Sequence, residues 1–358
     1  MTRPISVTID IRAMRGNLQR MRSVAGERVL WAVVKANAYG HGLSNAVAAF
    51  TDADGLATIE VSEAIRLRRL GWTKRILLLE GFFDEEDVRL LEMYDIETNV
   101  HSEWQIAMLC RTAPHTRLKT HIKVNSGMNR LGFPPSLVSN VSERLASISG
   151  CHVLGIVTHF ANADPTYNGA WTVRRQLECL GGLAHSPGAC LSNSAAILFH
   201  PEVTASEVRA GVVLYGLSPD SRLTNEELGI ETAMTLSAGI IAIQDVAAGE
   251  ADGYGSRWLA KRNSRIAVVA CGYADGYPRS MPDGVPTWIS GKIAPLAGAV
   301  SMDMLTIDVT DVPEAEPGMQ VELWGKHIRV NDLAQACGTI GYELICALAP
   351  RVPVVVSE

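Results

Sequence analysis

At 358 residues and 47% hydrophobic composition the chain can bury a large core and is long for one domain, so a larger and a smaller domain are expected. A formal net charge of -6, with no clustered Lys and Arg, argues against a nucleic-acid or anionic-membrane surface and for a small-molecule partner. Seven scattered cysteines with no C-x-x-C pair fit buried thiols in a reducing compartment better than a disulfide framework or a zinc site, so no metal is expected. The first ten residues lack a charged segment followed by an apolar run, and no stretch reaches membrane-spanning length; the expected location is the cytoplasm.

In chain order, residues 7–11 precede a first helix and are expected to pair with the second domain. Short apolar, β-branched runs then recur at 29–34, 55–59, 76–80, 97–100, 118–124, 152–159, 189–192 and 207–209. Segments of helical period lie between them, such as 61–70, 85–93, 102–111 and 171–183. Eight β-then-α units without hairpin signals predict an α/β fold, a (β/α)₈ TIM barrel over residues 1–230. From about residue 232 the texture changes to alternating strands with Gly and Pro turns, which predicts a mainly β C-terminal domain over 231–358. A helix at 331–336 and a final run, ALAPRVPVVV, close it.

Reactive groups of such barrels gather where strands end. Lys35 follows LWAVV and precedes Tyr39 and a Gly-containing loop; a strand-end amine that is partly buried can form a Schiff base, although a solvated lysine is the commoner case. The seventh and eighth loops supply Ser192-Asn193-Ser194 and Arg209-Ala210-Gly211-Val212, a hydroxyl at a helix start and a Gly beside free amides, which suit a phosphate. Alone, Ser194 reads as a helix cap and Gly211 as a turn. Together with Lys35 they fit pyridoxal 5′-phosphate.

VVKANAYGHG (33–42) resembles the pyridoxal-lysine segment of the alanine racemases. KVNSGMNRLGF (123–133), THFANAD (158–164), SNSAA (192–196), RAGVVLYG (209–216), DGYGS (252–256), GYADGYPR (272–279) and VSMDM (300–304) resemble that family's blocks in the family's order. The resemblance implies interconversion of L- and D-alanine by two bases, Lys35 and Tyr254, the tyrosine coming from the partner subunit of a homodimer with shared active sites. It gives Tyr39, Asn193, Ser194, Gly211, Val212 and Tyr342 to the cofactor, with its phosphate held by Tyr39, Ser194, Tyr342 and the backbone at Gly211 and Val212. His159 would stack on the pyridine ring. Arg209 would face the pyridine nitrogen, and because Arg stays protonated that nitrogen would not be. Arg130 and the backbone of Met302 would bind the substrate carboxylate, with Lys123 at the position where members often carry a carbamate.

Outside the resemblance, Arg209 reads equally as a surface or loop-bracing charge, Lys123 as a strand-end surface charge, His159 as a satisfied structural histidine, Met302 as core and Tyr254 as a loop residue. Asp164, Tyr273 and Arg279 match residues of the access channel. Ala299 stands where many members carry Arg, leaving that channel's charge pattern open. Rival readings are a decarboxylase of the same plan, a racemase of another small amino acid such as serine, a non-catalytic pyridoxal phosphate carrier and a phosphate-ester barrel enzyme. Whether D-alanine is made for peptidoglycan or consumed is open at this level.

Overall fold

The computed structural model describes residues 3–112 and 117–358. Strand β1 (Ile5–Asp10) leads into a helix, Ile11–Ala25. Eight parallel strands follow: β2 (Val29–Val33), β3 (Gly55–Thr58), β4 (Arg75–Leu78), β5 (Glu97–Val100), β6 (Leu118–Lys123), β7 (Cys151–Val157), β8 (Cys190–Ser192) and β9 (Glu207–Ala210). β2 pairs with β9, closing the barrel that the alternation predicted. Helices intervene, among them Val61–Arg69, Glu85–Met93, Glu103–Thr112 and Val173–Leu180, and their apolar faces are buried.

The barrel interior can be read from its pairings. Trp31 on β2 lies opposite Gly55 on β3, and a Cβ at Gly55 would sit 2.3 Å from the Trp31 ring, so glycine is what admits the indole. Arg75, next in the same row, stacks its guanidinium 4.5 Å from that ring. Arg75 also bonds Glu97 of β5 and Glu207 of β9, while His121 of β6 bonds Glu97, so all face one interior. Side chains alternate along a strand. Asn99, Lys123 and Arg209, each two residues further on, therefore occupy the next layer towards the C-terminal mouth.

From residue 215 the chain is mainly β. β10 (Met234–Val246) is the long central strand, followed by β11 (Ala251–Asp252), β12 (Trp258–Leu259), β13 (Ser264–Val269), β14 (Pro286–Ile289), β15 (Lys292–Pro295), β16 (Leu305–Asp308), β17 (Gln320–Trp324) and β18 (Val354–Ser357). The main sheet runs β15-β14-β17-β10-β1-β18, with β13 branching from β10 and β16 pairing β13, and β11-β12 form a separate ribbon. β1 pairs antiparallel with β10 and parallel with β18. Two compact units result, one of Arg15–Ala38 with Gly42–Leu214, the other of Met1–Met14, Tyr39–His41 and Tyr215–Glu358.

The seven cysteines are all free thiols, but the expectation that they are buried holds only for Cys151, Cys190 and Cys271; Cys179 and Cys337 are half-buried, and Cys110 and Cys346 are exposed. Cys110 lies on the amphipathic helix Glu103–Thr112, where the small thiol falls outside the core-facing stripe. Among the described residues no helix is long and apolar enough to cross a membrane.

Candidate active site

The barrel mouth collects cations. Arg209 is 4% exposed and Lys123 is 8% exposed, so neither is the surface charge that its residue type alone allowed. The Arg209 Nη1 donates to the Cys190 carbonyl (2.7 Å) and thiol (3.1 Å), and Nη2 to the Thr158 carbonyl (2.6 Å). Nε takes no part in these bonds. Thr158 is fixed in turn, its hydroxyl donating to the Val124 carbonyl at 2.8 Å.

Lys123 has no hydrogen-bond acceptor among the described residues; burial first, then Arg209 and Arg130, lowers its ammonium to about 7. Burial likewise pushes His159 well below the usual imidazole range, helped by Arg209, Lys123, Arg130 and Lys35, so its ring is neutral. Among the described residues no carboxylate pairs with Lys35, Lys123, Arg130 or Arg209. Lys123 and Arg209 are buried, Lys35 is half-buried and Arg130 is exposed; buried like charges without counter-ions are costly, and the group fits ligands that bring anions.

The loops after β8 and β9 meet at one bond. The Gly211 N–H donates to Ser194 Oγ at 2.9 Å, and both residues are buried. The cap of the helix Ser194–Phe199 is Asn193, whose side chain accepts from the Ala196 N–H; Ser194 is the first helical residue, so reading it as the cap is corrected. Asn193, freed from the helix by extended φ and ψ, is placed to cap, which leaves Ser194 to reach across. Val212 opens a short 3-10 turn, Val212–Tyr215.

Lys35 stands at the end of β2 and starts an unusual turn. Ala36, Asn37, Ala38 and Tyr39 have φ of 54, 51, 57 and 51°, a left-handed turn built without glycine. For L-residues this costs roughly 1–2 kcal/mol per residue, so surrounding contacts must impose it. Ala38 N–H donates to the Val34 carbonyl and Gly42 N–H to the Asn37 carbonyl. In the other unit, Tyr39 stacks on Tyr215 with ring centroids 4.8 Å apart and lies 6.2 Å from Tyr342. Burial raises both phenols, Tyr342 to about 12 and Tyr39 further with help from Tyr342, so both stay protonated and can donate.

The C-terminal unit offers two exposed side chains. Tyr254, 70% exposed, sits in a 3-10 turn between Gly253 and Gly255, both at positive φ. Met302 is 54% exposed, so the core reading of this methionine is corrected: VSMDM is a bend, not a strand interior. Its carbonyl accepts from the Ala274 N–H at 3.0 Å, and a Cβ at Gly272 would lie 2.4 Å from that oxygen. Asp275 secures the same turn by accepting from Gly272 N–H, Arg3 and Arg351, while Arg351 also bonds Asp303. Arg279 donates to the Val300 carbonyl and lies 6.0 Å over the Tyr273 ring, so these two access residues are brought together. Asp164 is an exposed residue of the barrel unit. Ala299 is buried.

The sequence reading missed Thr158, Cys190 and Tyr215. Thr158 directly precedes His159 and Cys190 pairs β9 just before Arg209, so their signal was adjacency alone; Tyr215 lies in the 3-10 turn that Val212 opens.

Two family models cover the chain almost end to end, the alanine racemase N-terminal domain over residues 9–219 and the C-terminal domain over 233–356. The chain belongs to the alanine racemase family. It is 48% identical to the alanine racemase of Erwinia tasmaniensis, over 99% of each chain. With the catabolic alanine racemase of Klebsiella aerogenes it shares 47% identity, again over 99% of each. The crystal structure of the biosynthetic alanine racemase from Pseudomonas aeruginosa superposes with a TM-score of 0.95 at 42% identity, covering 100% of both chains. Membership thus extends over the barrel and over the β region that carries Tyr254 and Met302.

Proposed function

We infer that the chain is an alanine racemase that interconverts L- and D-alanine with pyridoxal 5′-phosphate. The observation carrying this reading is the set of uncompensated cations in the barrel mouth of a chain related to alanine racemases over its whole length. The residues present fit the cofactor: within the barrel unit the Ser194–Gly211 bond suits a phosphate and Nε of Arg209 is left over for a ring nitrogen, and in the other unit the phenols of Tyr39 and Tyr342 stay protonated and can donate. When bound, pyridoxal phosphate supplies an electron sink that makes the α-proton of an amino acid removable.

Lys35 holds the cofactor covalently and is one base. Tyr39, Ser194, Tyr342 and the backbone of Gly211 and Val212 hold the phosphate, with Asn193 beside them. Neutral His159 stacks on the ring, and a positive Arg209 keeps the ring nitrogen unprotonated. Arg130 and the backbone N–H of Met302 bind the substrate carboxylate. Lys123, titrating near neutrality, has the free-amine fraction that adds carbon dioxide, and the resulting carbamate is the anion that Arg130 lacks. Asp164, Tyr273 and Arg279 line the way in.

Racemisation needs a proton taken from one face and returned to the other. Tyr254 is the second base, and its exposure supports its working against a second copy of the chain in a homodimer. The division of labour proposed is barrel, residues 1–230, for the cofactor and residues 231–358 for the second base and carboxylate contact, in a cytoplasmic enzyme. The decarboxylase, serine racemase and carrier readings are not favoured. Borohydride reduction of the protein loaded with cofactor, followed by peptide mapping, is expected to find the pyridoxyl group on Lys35, alongside D-alanine formation from L-alanine. A label on another lysine would overturn the mapping of the site.

A further inference from the structure

The left-handed turn after Lys35 is held mostly from within. Its bonds Ala38 N–H to Val34, Gly42 N–H to Asn37 and Leu43 N–H to Asn37 Oδ1 all stay inside the segment 34–43. From outside the segment the Ala57 carbonyl accepts from the Val34 N–H at 2.8 Å, and at the turn itself the Asn37 N–H donates to Glu63 Oε1 at 2.7 Å. The other oxygen of Glu63 accepts from the Thr58 hydroxyl. Thr58 is fully buried at the end of β3, the strand beside β2, and Glu63 lies in the first turn of the helix Val61–Arg69, where the positive end of the helix favours a carboxylate. The carboxylate therefore bridges a rigid strand end and a backbone amide two residues beyond Lys35.

We propose that Glu63 is a positioning residue for Lys35. By clamping the Asn37 amide to β3 it imposes the left-handed course of residues 36–39 and so fixes the direction in which the Lys35 side chain leaves β2. Nothing in Ala-Asn-Ala-Tyr favours that course, since none of these residues is glycine and only Asn tolerates it readily. The bond is charge-assisted and directed at a backbone group, so it restrains the main chain itself. The role rests on Lys35 being the cofactor-bearing lysine.

The test compares Glu63→Ala and Glu63→Gln holoenzymes. Glutamine keeps an oxygen for the Asn37 N–H and can donate its amide to the Thr58 hydroxyl, so it rebuilds the bridge. In Glu63→Ala the Asn37 amide should exchange with solvent about tenfold faster and kcat should fall by about tenfold, the order expected for one charge-assisted hydrogen bond, with the KM for alanine little changed. Glu63→Gln should recover both. Should the alanine variant fold poorly, Glu63→Asp serves, because the shorter side chain cannot reach Thr58 and Asn37 together. An alanine variant with wild-type kcat and slow Asn37 exchange overturns the proposal, as does a glutamine variant as impaired as the alanine one. Absence of the pyridoxyl label from Lys35 in the wild-type protein overturns instead the reading of Lys35 on which it rests.

Discussion

The floor and the mouth of the barrel both bury ionised side chains, and they treat them in opposite ways. At the floor Arg75 meets Glu97 and Glu207, His121 completes Glu97, and the Trp31 indole donates to Glu207 at 2.6 Å. Burial alone would raise the Glu97 carboxyl, but the Arg75 and His121 hydrogen bonds outweigh it and hold it at about 2. One layer up, on the same strands, Lys123 and Arg209 have no carboxylate partner among the described residues. A closed set of charges is architecture; an open set of one sign marks where a ligand completes the protein.

The widest gap between the layers should appear in activity. Lys35→Ala should lower racemisation by roughly a thousandfold or more, in the range of a lost acid–base group, without loss of melting temperature. Tyr254→Phe should be similarly inactive. Mixed under conditions of subunit exchange, the two should recover towards half of wild-type activity per mixed dimer, since each then contains one site with both bases and one with neither. Exchange without recovery would remove Tyr254 from the partner's site.

The floor should respond in stability instead. Glu97→Gln is expected to cost about 2–3 kcal/mol, at the lower end for a broken buried pair because Arg75 is about one-third exposed and keeps Glu207. Because the folded carboxyl lies below its unfolded value of about 4.3, its contribution is complete above that value and fades as pH falls towards 2. Denaturant melts at pH 7 and pH 3 should therefore show the variant's deficit shrinking in acid, with activity per folded molecule kept. A deficit independent of pH would mean packing, not charge.

The smallest effect should be a gain. Lys123 titrates near 7 folded and near 10.4 unfolded, so the folded state binds fewer protons between those values. This lysine accordingly destabilises the cofactor-free protein most below pH 7, and less as pH rises towards 10. Lys123→Met should raise stability by about 1–2 kcal/mol at pH 6 and progressively less at alkaline pH, while impairing racemisation. Equal stability of the two proteins at pH 6 would show that the mouth is already neutralised.

Much of this was legible beforehand. The eight barrel strands were read to within two residues because parallel strands buried on both faces leave short apolar runs. The positions of Lys35, Arg209 and Ser194 at strand ends came with them. Burial of the charges was not legible, since the strands at 118–124 and 207–209 were read correctly but only the inward alternation of a closed barrel puts Lys123 and Arg209 inside it. The left-handed turn was equally hidden: Ala36 and Ala38 carry no signal for positive φ, because tertiary bonds impose it. Met302 looked like core until the bend around it was seen.

The pairing of β1 has a consequence for how the chain is made. β1 is made before the other described strands, yet Val7 pairs with Leu236 on one side and Val354 on the other. All eight barrel strands are synthesised before either partner exists. The barrel can thus close during translation while β1 waits with two bare edges, and the sheet is sealed only once β18 has been made, a long-range closure that is slow by its topology. Of the described strands, β1 is the one that a nascent chain must shield the longest.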